Sequence, residues 1–195
     1  MPSFDLRRIL IAKYNKGETG ITYSDHCSIG DAMSCNLELK FAEGRLYAEG
    51  RLAEYMKLAT GGSISIAEKY IPDDAQKLMY DMKEKERTVG EKKMTSLQHT
   101  AKGVANYVGV TFYAPDKIDS VTKYTCMFIA KSLFGPPAMS FQTKGESIVF
   151  NTPTTTGEFL PDDSTEEVLT DAYVADTLED AIAWCDAALQ KPKTP

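Results

Sequence analysis

The sequence has few of the histidines and cysteines with which proteins bind zinc. Its 195 residues include two histidines, His26 and His99, and four cysteines, none of them in a CxxC pair. A zinc site needs several such ligands at short spacing, and neighbours on an extended chain, such as His26 and Cys27, point to opposite sides. We therefore expect no metal site and no cofactor. We expect the cysteines to be buried small apolar residues in a reducing compartment.

Motifs for nucleophilic catalysis and phosphate binding are also absent. The chain has no GxSxG, no Walker loop and no GxGxxG, and the Gly-Glu-Thr-Gly stretch at residues 17–20 lacks the lysine of a phosphate-binding loop. Cys126 lies in an apolar strand pattern, and such surroundings make a thiol unreactive. The sequence therefore predicts that the protein is not an enzyme.

Two acidic clusters are the remaining candidates for acid–base chemistry or calcium binding. The first is Asp73 with Asp74, where a helix N-terminus favours negative charge. The second lies in a loop, where solvation is the simpler interpretation, and comprises Asp162, Asp163, Glu166 and Glu167. An enzyme that uses these acidic loops stays an alternative, and measurable turnover would support it.

The chain also lacks an excess of basic residues and any long apolar run. Its formal net charge is −6, which disfavours tight binding to nucleic acid but would suit a wall past which DNA slides. No stretch approaches the roughly 20 apolar residues that span a bilayer, and the run at residues 9–12 is too short for a signal peptide. We expect a protein that is made and assembled in the cytoplasm.

Residues 32–41 carry the clearest strand pattern. Apolar residues at 33, 35, 37, 39 and 41 alternate with the polar Ser34, Asn36, Glu38 and Lys40. This period of two predicts one side on a core and the other side wet or at an interface. On this assignment Leu39 enters the core, so Leu39→Asp should abolish folding or assembly.

Further strands are predicted by the same reasoning, with turns between them. They cover residues 63–67 after a Gly61-Gly62 turn, 107–114 before Pro115, 121–134, and a hairpin of 139–143 with 147–154 around Lys144-Gly145-Glu146. Residues 46–58 have no regular hydrophobic period, which predicts a surface loop with a helical turn. The loop is rich in apolar groups, so we expect another surface to cover it. Residues 83–103 predict a charged mobile loop, and 191–195 a flexible tail.

Two helices complete the pattern. Asp73 with Gln76 and Thr177 with Asp180 have capping-box spacing. The second helix carries an apolar stripe, with Trp184 beside it: Leu178, Ala181, Ile182, Cys185 and Leu189. Together these elements predict one mainly β domain over residues 1–195. It would be an antiparallel β-sandwich or partial barrel of five to seven strands, with one mid-chain and one C-terminal helix.

The order of several segments resembles the major tail proteins of long-tailed phages, of the phi13 or TP901-1 type. The segments are LYAEGRLAE at 46–54, the glycine-led strand at 62–67, the helix at 73–82, YVGV at 107–110, KGESIVFNTPT at 144–154 and the helix with Trp184. The resemblance covers about residues 5–190. The chain departs from it in the charged stretch at 83–99 and in its C-terminal extension.

The resemblance implies a virion tail-tube protein of the tail-tube fold. Such proteins form homohexameric rings that stack into a tube, which encloses the tape measure protein and conducts DNA at ejection. Their partners are other copies, the tape measure protein, a chaperone, the tail terminator and distal tail or baseplate proteins. On this reading Ser34, Asn36, Glu38 and Lys40 line the lumen. Residues 46–58 then reach an adjacent ring and bury four side chains: Leu46, Tyr47, Leu52 and Tyr55.

Three other functions stay open at this point. The same fold could serve as the tube subunit of a phage-tail-like bacteriocin or of a contractile tail. A carbohydrate-binding β-sandwich would need an exposed aromatic platform, whereas Trp184, the single tryptophan, lies on a helix.

Overall fold

The computed structural model describes residues 5–192 except 19, 119, 139–142 and 144–151. Within these residues the chain forms ten strands and two helices, in the following order: β1 (Arg7–Gly17), β2 (Gly20–Ser28), β3 (Ala32–Ala48), β4 (Arg51–Glu68), α1 (Asp73–Tyr80), β5 (Lys83–Val89), β6 (Lys92–Gln98), β7 (Tyr107–Ile118), β8 (Val121–Gly135), β9 (Thr154–Leu160), β10 (Thr170–Ala175) and α2 (Leu178–Ala188).

Eight of the strands form one antiparallel sheet, seven of them in the order β2-β1-β7-β8-β9-β4-β3, with β10 paired to β8 beside this path. Strand β8 lies in the middle of the sheet and pairs with three other strands. One edge of β8 pairs with β7. The other edge pairs with β10 along the first half of β8 and with β9 along the second half. Strands β2 and β3 are the outer edges, and β5 with β6 forms a separate hairpin. The predicted mainly β, antiparallel class with two helices is confirmed.

The main core lies between the sheet and α1. Isoleucines of β1 and β4 meet Val108 and Val110 of β7 and the rings of Phe134 and Phe159, and α1 adds Leu78, Met79 and Tyr80. Burial of these side chains is the main driving force for folding. A smaller cluster on the other side of the sheet holds α2, whose Ala181 and Cys185 pack against β8 and β10.

Of the two predicted N-terminal caps, Thr177 forms one and Asp73 does not form the other. Thr177 caps α2, and its hydroxyl accepts a hydrogen bond from the Asp180 amide at 3.1 Å. Helix α1 begins after Pro72 with no side-chain cap, and Asp73 is its first residue. Gln76 instead donates its side-chain amide to the Ile71 carbonyl at 2.9 Å.

Several predicted loops and turns prove to be strands, which is why the described residues hold ten strands, not five to seven. The loop predicted at 46–58 is the paired end of β3 and β4. The loop predicted at 83–103 contains the β5–β6 hairpin. Gly61 and Gly62 lie within β4, and β7 continues through Pro115, which stands opposite Tyr124.

Strand β3 is confirmed, but its predicted core side holds for only part of its length. Cys35 and Leu37 pack against the core, whereas Met33 and Phe41 are exposed. Leu39 is 44% exposed, so the expectation that Leu39→Asp places a charge in the core is wrong. The core ends at Leu37 because the partner strand changes there from Ile64 to two glycines.

Most of the hairpin predicted at 139–154 lies outside the described residues, as do residues 193–195 of the tail. Strand β9 begins at Thr154, just after Pro153, where a proline needs no ladder hydrogen bond. The acidic stretch after β9 is a loop as predicted, and it is tied to the sheet. Asp163 pairs with Lys16 and Lys131 and accepts a hydrogen bond from the Tyr14 hydroxyl at 2.7 Å.

Candidate functional site

The most unusual surface of the molecule is a β-arm formed by residues 40–60 of β3 and β4. Strand β9 pairs with β4 only from Gly62 to Ala67, so beyond that point the two strands pair only with each other. Glu49 and Gly50 close the arm as a two-residue turn with φ of 52° and 73°, the conformation that matches the twist of a hairpin. Every residue of the arm is exposed.

One side of the arm is a network of aromatic rings and charges. The Lys57 ammonium lies 4.4 Å from the centre of the Phe41 ring, and the Arg45 guanidinium lies 5.5 Å from that of Tyr55. Glu43 stands between them and pairs with Lys57 at 3.2 Å. The Tyr55 hydroxyl and the Lys57 ammonium lower the pKa of the Glu43 carboxyl. These contacts stiffen an element that has no core of its own.

The opposite side of the arm is apolar. Gly44 pairs with Met56 and Ala42 with Leu58, so these residues share this side with Leu46, which pairs with Glu54. Met56 is 62% exposed, and Leu46 and Leu58 are similarly open. Contiguous exposed apolar groups of this kind are typical of an interaction surface.

The arm contains all four residues predicted to contact a neighbouring copy, but it divides them. Leu46 lies on the apolar side, whereas alternation along β3 and the pairing register place Tyr47, Leu52 and Tyr55 on the ring-and-charge side. All four are exposed. The prediction missed Met56 and Leu58, although their spacing of two residues is the signal that would have revealed this side.

The four lumen candidates are exposed and occupy one side of β3: Ser34, Asn36, Glu38 and Lys40. Alternation along β3 continues this polar row into the apolar side of the arm at Leu46. Lys40 also pairs with Glu158 of β9. The edge of the sheet therefore presents one continuous surface that is polar near the core and apolar toward the tip.

Some of the groups considered for chemistry lie together: His26, Cys27 and Asp74 line one depression, and Cys126 lies beside Cys185. Burial raises the pKa of Cys27 to about 11 and the pKa values of Cys35 and Cys185 to about 12. It also raises the pKa of the Cys126 thiol. His26 contacts the Leu189 carbonyl through Nε2 at 2.7 Å, and Asp74 pairs with Lys77. Within the described part of the chain, no three histidine, cysteine or acidic residues are grouped as metal ligands.

The aromatic platform that a carbohydrate site would need is not formed by Trp184. This side chain is half-buried and stacks on Tyr173 of β10, with 5.9 Å between ring centroids and 21° between ring planes. One face of the indole is therefore covered by the protein itself.

No described helix has the length and apolar composition to cross a membrane. Comparison of the chain with protein-family models and with curated proteins finds no match. The resemblance to phage tail proteins therefore stays a prediction from the sequence.

Proposed function

We propose that the protein is a structural subunit that assembles with copies of itself into stacked rings, forming a hollow tube like that of a phage tail. The observation that carries this proposal is the β-arm. Its paired strands project roughly 30 Å at about 3.3 Å per residue, and both of its sides carry exposed apolar or aromatic groups.

A free arm of this composition is unfavourable in water. Burial of its apolar side chains would lower the free energy. These are Leu46, Met56 and Leu58 on one side and Tyr47 and Leu52 on the other. Because the apolar groups lie on both sides, a single flat partner would cover only half of them. An arm inserted between neighbouring subunits, in the next ring or in the same one, buries both sides.

The edges of the main sheet support closure into a ring. Strand β3 is an outer edge of 17 residues, and a long exposed edge invites pairing with another chain. Copies that join head to tail and close by rotation cover such edges without forming open fibres. The row from Ser34 to Lys40 would then face the lumen and offer passing DNA few cations to hold it.

In this function the tube encloses the tape measure protein during assembly and conducts DNA at ejection. The tail terminator and the distal tail proteins bind its two ends. The same arrangement suits the tube of a bacteriocin particle or of a contractile tail. A neighbouring sheath gene, or the absence of capsid genes, would distinguish these cases.

Electron microscopy of the purified protein over a range of concentrations tests the proposal. We expect rings or tubes with a central channel, and sedimentation should show large species that form above a threshold concentration. A protein that remains monomeric at high concentration would refute the proposal.

A further inference from the structure

The β5–β6 hairpin separates its charges by side. The two glutamates of β5, Glu84 and Glu86, share one side with Lys93 of β6. Alternation along the strands and the pairing register place four cations on the other side, called the basic side below: Lys83, Lys85, Arg87 and Lys92. The β5–β6 hairpin is therefore strongly cationic on one side only.

The cations of the basic side are exposed and uncompensated. The ion pairs of this region involve the other side, where Lys77 lies 2.8 Å from Glu84 and Lys93 lies 3.8 Å from Glu86. Among the residues that the structure describes, no carboxylate pairs with any cation of the basic side. The hairpin also pairs with no strand of the main sheet, so this side is open to a partner.

The basic side also carries two exposed apolar side chains. Val89 stands opposite Lys92 and Met94 opposite Arg87, so both side chains emerge among the cations. Val89 is 60% and Met94 50% exposed. A matching partner would offer carboxylates around an apolar floor.

The C-terminal part of this chain offers such a surface. Residues 157–190 contain ten acidic residues and no lysine, arginine or histidine. Four of these acids already pair with cations elsewhere in the chain: Glu158, Asp163, Asp176 and Asp186. The other six leave this part of the surface with uncompensated negative charge.

Three of the remaining acids line an open depression of about 830 Å³ beside the edge strand β2. Glu166 and Asp171 contribute exposed carboxylates, Asp162 lies beside them with its Oδ1 bound by the Ser164 and Val168 amides, and no lysine or arginine lines the depression within the described residues. Four apolar side chains add to its lining: Ile21, Tyr23, Phe128 and Val168. We call this surface the acidic depression.

We propose that the basic side of the β5–β6 hairpin of one copy binds in the acidic depression of a second copy. This inference rests on the proposed self-assembly and names a contact through which it occurs. Opposite charges steer the two surfaces together and fix their register, while Met94 and Val89 meet the apolar lining of the depression. The two surfaces differ, so the contact is head to tail and can propagate around a ring.

A second copy fits the basic side better than a nucleic acid does. Phosphate groups bind cations, but they make no favourable contact with the exposed apolar side chains of Met94 and Val89. The net charge of −6 also repels a polyanion at longer range. The acidic depression of another copy instead complements both the cations and the apolar side chains of the basic side.

Charge reversal tests the contact in both directions. The hairpin variant Lys85→Glu/Arg87→Glu and the depression variant Glu166→Lys/Asp171→Lys change exposed residues only, so both should unfold thermally like wild type. We expect each to raise the threshold concentration for assembly by at least about tenfold. Lys102→Glu/Lys117→Glu, a matched reversal of two exposed lysines elsewhere, should leave it unchanged.

Rescue is the decisive result. An equimolar mixture of the two variants, and a chain that carries all four substitutions, should assemble near the wild-type threshold, because each reversed surface then meets its complement. Failure of both to recover would overturn the contact, as would variants that assemble like wild type.

Two further outcomes separate this inference from its alternatives. A hairpin variant that loses affinity for duplex DNA but assembles normally would overturn the contact and indicate a nucleic-acid surface. Wild-type protein that never assembles would overturn both this contact and the proposed function, whereas wild-type assembly with unaffected variants overturns the contact alone.

Discussion

Gly62 lies against the ring of Phe159 more closely than any side chain would permit. A Cβ atom added to Gly62 would stand 2.1 Å from Cζ of Phe159 and 2.3 Å from the carbonyl oxygen of Glu38. Phe159 is buried in the main core, so its ring cannot move aside without opening that core. This contact fixes the point at which β4 leaves the core and enters the arm.

We therefore expect Gly62→Ala to lower the free energy of unfolding by about 1–3 kcal/mol, the usual cost of overpacking a core. Gly44→Ala is the matched control, because Gly44 lies in the arm and a Cβ there would meet nothing within 4 Å. Urea unfolding of the two variants provides the measurement. Equal stabilities would show that the ring of Phe159 does not depend on a glycine at this position.

Glu68 at the end of β4 predicts an unusual pH dependence of stability. Its carboxyl is buried, and neither oxygen has a hydrogen-bond partner among the described residues. Burial raises the pKa of this carboxyl to about 8. Because the folded state holds the proton more tightly than the unfolded chain, Glu68 favours folding at low pH. This advantage declines as pH rises from about 4.5 to about 8.

Glu68→Gln removes that dependence, since glutamine is neutral at every pH. The variant should gain about 2–4 kcal/mol relative to wild type between about pH 5 and about pH 8. Urea unfolding at both pH values tests this expectation. A constant difference between the two proteins would mean that Glu68 does not change its protonation in this range.

Asp163 predicts the opposite pH dependence. The Lys131 ammonium, the Tyr14 hydroxyl and the Lys16 ammonium all bind its carboxylate and hold its pKa well below the ordinary value. The stability that the ionised carboxylate contributes is therefore present above about pH 4 and declines as pH falls through the depressed pKa. This network ties the acidic loop to β1 and β8.

Asp163→Asn should accordingly unfold at a lower temperature than wild type at neutral pH. The difference between their unfolding temperatures should become smaller in acid. Tyr14→Phe is a useful control, because it removes one hydrogen bond but leaves both ion pairs in place. Thermal unfolding from neutral to strongly acidic pH provides the measurement. A difference that stays the same in strong acid would exclude the ionised carboxylate as its cause.

Elements with one buried side were predictable from the sequence. The alternation around Cys35 and Leu37 predicted β3, and the spacing of Thr177 and Asp180 predicted the start of α2, because both signals arise from contacts that the single chain makes. Strand β8 was also predictable, but from apolar groups on both of its sides, and both sides contribute to packed clusters.

The two hairpins were missed because their pairing leaves no buried side. Residues 46–58 have apolar groups on both sides of the arm, which erases the period of two that hydrophobicity normally reveals. In β5 the period is present in the sign of the charges, from Lys83 through Arg87, and not in hydrophobicity. Gly61 and Gly62 predicted a turn, whereas the structure uses Gly62 for its close approach to Phe159.

The four residues predicted to contact a neighbouring copy all lie in the arm, but the sequence did not predict which side of the arm each occupies. Tyr47, Leu52 and Tyr55 share a side that Leu46 does not, and only the pairing register with its irregularity near the tip determines this. That register depends on the two-residue turn at Glu49 and Gly50, which sequence analysis had placed in a loop.

Shortening the arm tests the account most directly. Replacing residues 43–57 with Asn-Gly joins Ala42 to Leu58, which already face each other, through a turn that hairpins favour. The removed residues contribute nothing to the core, so the variant should keep a β-rich circular dichroism spectrum and the unfolding temperature of wild type. We predict that wild-type protein forms rings or tubes under the electron microscope while the shortened protein stays monomeric. Tubes formed equally well by the folded, shortened protein would contradict the account.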